Sequence, residues 1–352
     1  MLQYRLKGLR NRLSGRQGRT RVDAGNVPPP HIEVTPEAVT WAYRLFLGRD
    51  PENQETVDEK MRLFSAVADL RNCLLSSAEF RANNPPTHVP SISGHEPAME
   101  VEEVESSEDL AKILEHIRLT WQFHGETEPH WSVLTSQRFL KSHINETEEE
   151  FFNSGRDSVE KLRASLGRNG LDPSAYRTCV EYGCGLGRIT RWLADRFEHV
   201  YCYDISAAHL GGAAHHLTQS GVKNVTLRHV RTVDEMLNLE RADLVYSLIV
   251  LQHNPPPVIR LIVRAFLKAL NRGGVAYFQV PTYRVGYRFS PGEYLENEAK
   301  KHVMMEMHAL PQRVIFQTAR EEGCELVEVL EDGSTGFGFG EVSNTFLIRK
   351  TA

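Results

Sequence analysis

The stretch Cys179-Val180-Glu181-Tyr182-Gly183-Cys184-Gly185-Leu186-Gly187-Arg188-Ile189-Thr190 restricts the fold more than any other part of the chain. A short apolar run ends in alternate glycines, then Ile189, Trp192, Leu193 and Phe197 fall at helical spacing. The pattern reads as a buried strand, a tight turn and the first turn of a helix. Alternate glycines let the backbone approach a ligand that side chains would hold off. The helix start then offers free N–H groups to an anionic end of that ligand.

Spacing separates two nucleotide-type ligands. A dinucleotide turn needs G-x-G-x-x-G, but Arg188 stands where its third glycine belongs. Here the glycines run G-x-G-x-G, with Glu181 two residues upstream at the strand end. The next strand, Val200-Tyr201-Cys202-Tyr203-Asp204, closes on an acid about 20 residues after the turn, as a group accepting both ribose hydroxyls should. This acid–glycine–acid pattern resembles motif I of class I S-adenosylmethionine-dependent methyltransferases. The resemblance implies an α/β fold: a doubly wound, seven-stranded Rossmann-like sheet whose last strand pair is antiparallel. It also implies S-adenosylmethionine as cofactor. Gly183, Cys184, Gly185 and Gly187 would then admit its methionine end, and Glu181 would attract its ammonium group. Asp204 would take the ribose and Ile205 would pack on adenine, with the backbone near Arg231 and Thr232 on the other side. The family often has an acid at this last position, and this chain departs from that pattern.

The remaining strands follow in order. Asn224–Val230 alternates like a third strand, and Ala242–His253 is an apolar fourth strand that resembles motif IV. Ligands of open α/β sheets sit beyond the carboxyl ends of the strands, so Ser247, Leu248 and the residues up to His253 should face the sulfonium. A helix over Val258–Leu270 is expected to stop at Asn271-Arg272-Gly273-Gly274, with strand five over Val275–Pro281. Cys324–Leu330 and Val342–Ile348 should close the sheet as a hairpin around Gly336, Gly338 and Gly340. If the acceptor is a hydroxyl, His253 is the best-placed base; the alternative is a histidine that caps the turn before Asn254-Pro255. Tyr246, Trp131 and Arg188 are candidates for acceptor contacts. Arginines and tyrosines in Thr282–Met307, among them Tyr283, Arg284, Tyr287 and Arg288, would suit an oxygen-rich or acidic acceptor.

Ahead of the core, residues 110–170 read as helical, with Leu110, Ile113, Leu114 and Ile117 on one face. The segment Trp121–Leu134 resembles W-x-x-x-G-x-x-x-P-x-W-S-V-L stretches that precede the core in bacterial methyltransferases, where such extensions cover the active site. A substrate cover and a simple packed layer both stay open here. His124, His130 and His143 lack the i, i+4 spacing of a helical zinc pair, and no metal is expected.

The expected domain order is a basic tail over 1–30, a small all-helical domain over 31–84, an acidic proline-containing linker over 85–109, and a methyltransferase domain over 110–352. Within the last, 110–170 is the cover and 177–352 the core. The tail carries seven arginines and lysines between Arg5 and Arg21, with Leu2, Leu6, Leu9 and Leu13 on one helical face. Either residues 1–22 make a weak contact with an anionic membrane surface or the segment is a disordered tail. Thr35-Pro36-Glu37 is a helix start. Tyr43–Pro51 and Ser77-Ala78-Glu79-Phe80 resemble the two ends of a helical domain of unassigned function that is appended to bacterial surface-layer proteins and glycan-modifying enzymes. From that company the expected acceptor is a saccharide or glycan precursor, methylated on oxygen. Another small-molecule or lipid-linked acceptor, and a non-catalytic cofactor-binding module, are the rivals.

A net charge of −5 in 352 residues argues against general nucleic-acid affinity. The five cysteines form no metal or disulfide framework, so a reducing, cytoplasmic setting is expected.

Overall fold

The computed structural model describes residues 32–75, 77–83, 91–104, 106–298, 305–335 and 340–351. The basic tail, including the membrane reading of residues 1–22, lies outside the described residues, as do Gly336 and Gly338. The chain divides into two compact units, Met1–Val89 and Pro90–Ala352.

The first unit is helical over Pro36–Ala42, Gln54–Leu63, Val67–Leu75 and Ala78–Asn83. Thr35 caps the first helix, its hydroxyl accepting from the Ala38 amide at 3.2 Å, and Pro36 occupies the first helical position. A wider π-type turn over Tyr43–Leu47 continues it to Gly48, whose φ of +72° ends the helix. Val39, Tyr43, Leu47, Val57, Leu70 and Leu74 form its core. Arg49 grips Glu79 with two parallel hydrogen bonds, Nε to Oε1 at 2.5 Å and Nη2 to Oε2 at 2.8 Å. The two distinctive ends of this module therefore hold each other, which gives their residue types a structural explanation.

In the second unit seven strands form one sheet: β1 Thr178–Tyr182, β2 His199–Asp204, β3 Val225–His229, β4 Ala242–Ser247, β5 Leu270–Arg284, β6 Cys324–Asp332 and β7 Glu341–Lys350. Their order is β3-β2-β1-β4-β5-β7-β6. The first five are parallel, while β7 runs antiparallel to both β5 and β6. Helices cover both faces, as a parallel sheet with apolar strands requires. Helices Ser107–Thr127, Pro256–Ala269 and Gln312–Glu321 bury Ile113, Ile262 and Ile315 on one face. Helices Gly155–Arg168, Thr190–Ala194 and Ala207–Gln219 bury Leu162, Leu193 and Leu210 on the other.

Two local expectations change. Asn271–Gly274 is not a free turn. Leu270 already pairs with Ala242, the next pair is Leu244 with Val275, and the four residues between bulge out with Gly273 at φ +79°. The acidic stretch does not stand free over its described part either. Glu100–Val101 pairs in parallel with Arg288–Phe289, Tyr283 Oη donates to the Pro97 carbonyl at 2.6 Å, and Arg313 meets Glu103 at 2.9 Å. Tyr283 and Arg288 (2.9 Å from Glu100) are thereby committed to holding this segment, and Arg284 pairs with Glu341 at 2.9 Å, so the three do not line an acceptor pocket. On helix Ala207–Gln219, His216 stacks on Phe152 with ring centroids 3.4 Å apart.

Helix Gly155–Arg168 begins against the glycine turn. A Cβ on Gly155 would lie 2.1 Å from the Arg188 carbonyl oxygen, a backbone atom that cannot swing aside. Gly155→Ala is therefore expected to cost about 1–3 kcal/mol of stability through overpacking. Urea unfolding measures it, and an unchanged midpoint would show that the turn yields.

Candidate active site

Parallel strands leave their carboxyl ends at one edge of the sheet, and the order reverses between β1 and β4. A cleft opens there. Glu181, at the end of β1, and Asp204, at the end of β2, both line it. Between them the bend turns on Gly183, Gly185 and Gly187 at φ +77°, +53° and +78°. L side chains are strained at such angles. A Cβ on Gly183 would also fall 2.3 Å from Val250, so a side chain there would fill the cleft wall.

Asp204 builds the bend as well as facing the cleft. Its Oδ2 accepts from the Gly185 amide and its Oδ1 from the Ser206 amide, each at 2.8 Å. Ser206 in turn caps helix Ala207–Gln219, its hydroxyl accepting from the His209 amide at 3.2 Å. Glu181 is only 2% exposed and accepts from the Thr190 hydroxyl at 2.5 Å. Burial pushes its carboxyl up to about 8; the Thr190 bond and the nearby Arg188 pull the other way, and the Asp204 charge adds to the rise. Arg188 is itself held by Ser154, to whose hydroxyl its Nη1 donates at 3.1 Å.

The helical layer ahead of the core closes one side of the cleft. Ile117 and Trp121 come from helix Ser107–Thr127, Ser132 and Val133 from helix Pro129–Val133. Ser132 Oγ lies 2.9 Å from Nε2 of His209, which joins this layer to the helix after Asp204. The opposite wall is the segment after β4: Leu248, Ile249, Val250, His253 and Asn254. Ile249 is a β-branched residue at φ +59°, a strained conformation of the kind that collects at functional sites.

His253 is 8% exposed, with Nδ1 2.8 Å from the Glu306 carbonyl and Nε2 3.2 Å from the Gln252 side-chain amide. Its ring packs edge-on against Trp121 at 5.0 Å. Burial pushes its pKa down to about 4, against the Glu306 hydrogen bond, which raises it.

Glu181, Gly183, Cys184, Gly185, Arg188, Asp204, Ile205, Leu248 and His253 thus come together, while several expected residues do not. Gly187 faces away and packs on Leu217 and Ala213, where the helix must pass close. Ser247 is spent on the Tyr182 carbonyl at 2.9 Å. Tyr246 is buried in the core beside Tyr277. Arg231 reaches out to Glu235 at 2.5 Å, and Thr232 caps the short helix Val233–Leu237. Trp131 does not line the cleft, because the helix Pro129–Val133 turns Ser132 and Val133 to it instead. Trp121, ten positions earlier in the same aromatic segment, lines the cleft instead. His209 was not singled out from the sequence, and Asn254 figured there only in the turn after His253. Ile249 lies in the segment up to His253 that was expected to face the cofactor, and it does line the cleft.

No curated protein matches the chain. Among solved structures it is similar to the magnesium protoporphyrin IX methyltransferase of Synechocystis PCC 6803 with bound S-adenosylhomocysteine (15% identity, 67% of this chain and 98% of that one, TM-score 0.47). It is also similar to an N-methyltransferase from Bradyrhizobium japonicum WM9 in complex with S-adenosyl-L-homocysteine (16% identity, 66% and 98% covered, TM-score 0.41). Residues 179–274 match the family model of a methyltransferase domain. That match begins on β1 and takes in both strand-end acids and the wall after β4, so the part of the chain that builds the cleft is similar to a methyltransferase domain.

Proposed function

We propose that the chain transfers the methyl group of S-adenosylmethionine to a small molecule through an amine or a carboxylate, not through a hydroxyl deprotonated by His253. Glu181 and the bend would hold the amino-acid end of the cofactor, and Asp204 and Ile205 its nucleoside. The cofactor brings its own leaving group, so the protein's task is to position donor and acceptor. One observation carries the choice of acceptor: the imidazole beside the cleft has a pKa of about 4, and both its nitrogens are engaged. Such a group is a weak proton acceptor and cannot readily activate a neutral alcohol. An amine in a wall of Ile117, Trp121 and Val250 loses its proton more easily than in water, since burial and a neighbouring sulfonium disfavour the ammonium. A carboxylate needs no base. A glycan precursor stays within this class through an amino sugar or a uronic acid.

The test is labelled S-adenosylmethionine with fractionated cell extract and identification of the product. Label is expected as an N-methyl group or as a methyl ester released by mild alkali. An alkali-stable methyl ether on a sugar would overturn the reading and restore a base. The five free thiols support a cytoplasmic setting, and no described helix is long and apolar enough to cross a membrane.

A further inference from the structure

Behind the acceptor wall runs a chain of buried amides whose ends are both backbone groups. The Ile249 amide donates to Oε1 of Gln279 at 3.1 Å. Nε2 of Gln279 donates to Oε1 of Gln252 at 3.2 Å and to Oγ of Ser343 at 2.7 Å. Nε2 of Gln252 faces Nε2 of His253 at 3.2 Å, and Nδ1 of His253 faces the Glu306 carbonyl at 2.8 Å. Gln279, Gln252, His253 and Ser343 are all buried, Gln279 with no exposure at all.

The direction of this chain is not free. A backbone N–H can only donate, so Gln279 must turn its oxygen to Ile249 and its nitrogen to Gln252. Gln252 must answer with its oxygen, which leaves its NH₂ facing the imidazole. Nε2 of His253 must then accept. At the far end a backbone carbonyl can only accept, so Nδ1 must carry the proton. Both ends demand the same tautomer.

We infer that Gln279 and Gln252 are positioning residues that fix His253 as the neutral Nδ1–H tautomer, so that the acceptor wall presents no exchangeable acid. An imidazolium there would set its Nε2–H against the N–H of Gln252 at a separation of 3.2 Å, too short for a water between them. The charged and titratable groups facing it give no relief. His124, from helix Ser107–Thr127, and His308 would both repel a second cation. Glu306 offers only its carbonyl to His253, for its carboxylate takes Tyr294 Oη at 2.8 Å and His308 Nε2 at 3.2 Å. Val250, whose side chain lines the cleft, adds no polar group, and Trp121 meets the ring edge-on. The consequence for catalysis rests on the methyl-transfer reading above; the tautomer does not.

The experiment is long-range ¹H–¹⁵N correlation of the full chain labelled with ¹⁵N-histidine, recorded without acceptor. Nδ1 of His253 is expected in the protonated range and Nε2 in the unprotonated range, unchanged from pH 5 to 8. Gln252→Glu keeps an oxygen toward Gln279 but turns a second one to the ring. It is expected to bring Nε2 into the protonated range at pH 7 and to raise the midpoint by at least two pH units. A merely structural glutamine would leave the tautomer unmoved. A wild-type His253 that carries its proton on Nε2, or titrates near 6.5, overturns the inference even if the variant fails to fold. A wrong acceptor class leaves these spectra untouched, so the two readings fail separately.

Discussion

Replacing Asp204 with alanine is expected to lower affinity for S-adenosylmethionine by at least a hundredfold while the chain stays folded. The carboxylate joins three things: the amide of Gly185 in the bend, the amide of Ser206 at the start of the next helix, and the cleft itself. Hydrogen bonds to a charged group contribute roughly 1.5–3 kcal/mol each. Alanine would remove the proposed ribose contact and leaves the amides of Gly185 and Ser206 without their acceptor, so the bend loses its shape as well as its charge. Titration calorimetry gives the affinity, and circular dichroism shows whether the sheet is intact. Asp204→Asn keeps a single acceptor oxygen and is expected to fall between the two. Wild-type affinity in a folded alanine variant would remove Asp204 from the site.

Cofactor binding at pH 6.5 is expected to expel close to one proton. In the free protein Glu181 has a pKa of about 8, so at that pH the ordinary titration relation leaves it almost wholly protonated. An ammonium brought against it favours the carboxylate, and release of close to one proton at pH 6.5 corresponds to lowering that pKa by about three units. The sign for stability follows: a raised carboxyl pKa means that the free protein holds its stability below about 4.5 and loses it as pH rises through about 8. Binding should therefore stabilise the protein more at pH 8 than at pH 5. Calorimetry in two buffers of different ionisation enthalpy counts the proton. Glu181→Gln, which can still accept from Thr190, is expected to reduce the count to zero and weaken binding roughly tenfold or more. A wild-type count of zero would place the ammonium elsewhere.

Much of the site was legible because it is local in sequence. A bend that needs φ above zero advertises itself as glycine, and a strand that must end in a carboxylate carries the acid at a fixed offset, as Glu181 and Asp204 do. The same logic failed wherever a residue's use depended on what packs against it. Gly187 has the glycine signature, and its φ of +78° together with the helix packed on it accounts for it without the ligand. Tyr283 and Arg288 have the chemistry of an acceptor loop, yet an acidic segment nearly two hundred positions earlier claims them. Trp131 and Trp121 are both tryptophans of one motif, and only the break between two helices decides which ring reaches the cleft.

His253 marks the limit most clearly. From the sequence it could be a base or a cap, because an imidazole near 6.5 in water is able to serve as either. Its partners are Gln252 beside it, Glu306 on the segment before the last helix and, through Gln252, Gln279 on β5. Periodicity and turn chemistry fixed the order of strands, the bend and the two acids, since backbone angles and strand ends are properties of neighbouring residues. Which imidazole nitrogen holds a proton, and how far burial moves its pKa, belongs to groups that meet only when the sheet has closed. That was decided by the tertiary structure alone.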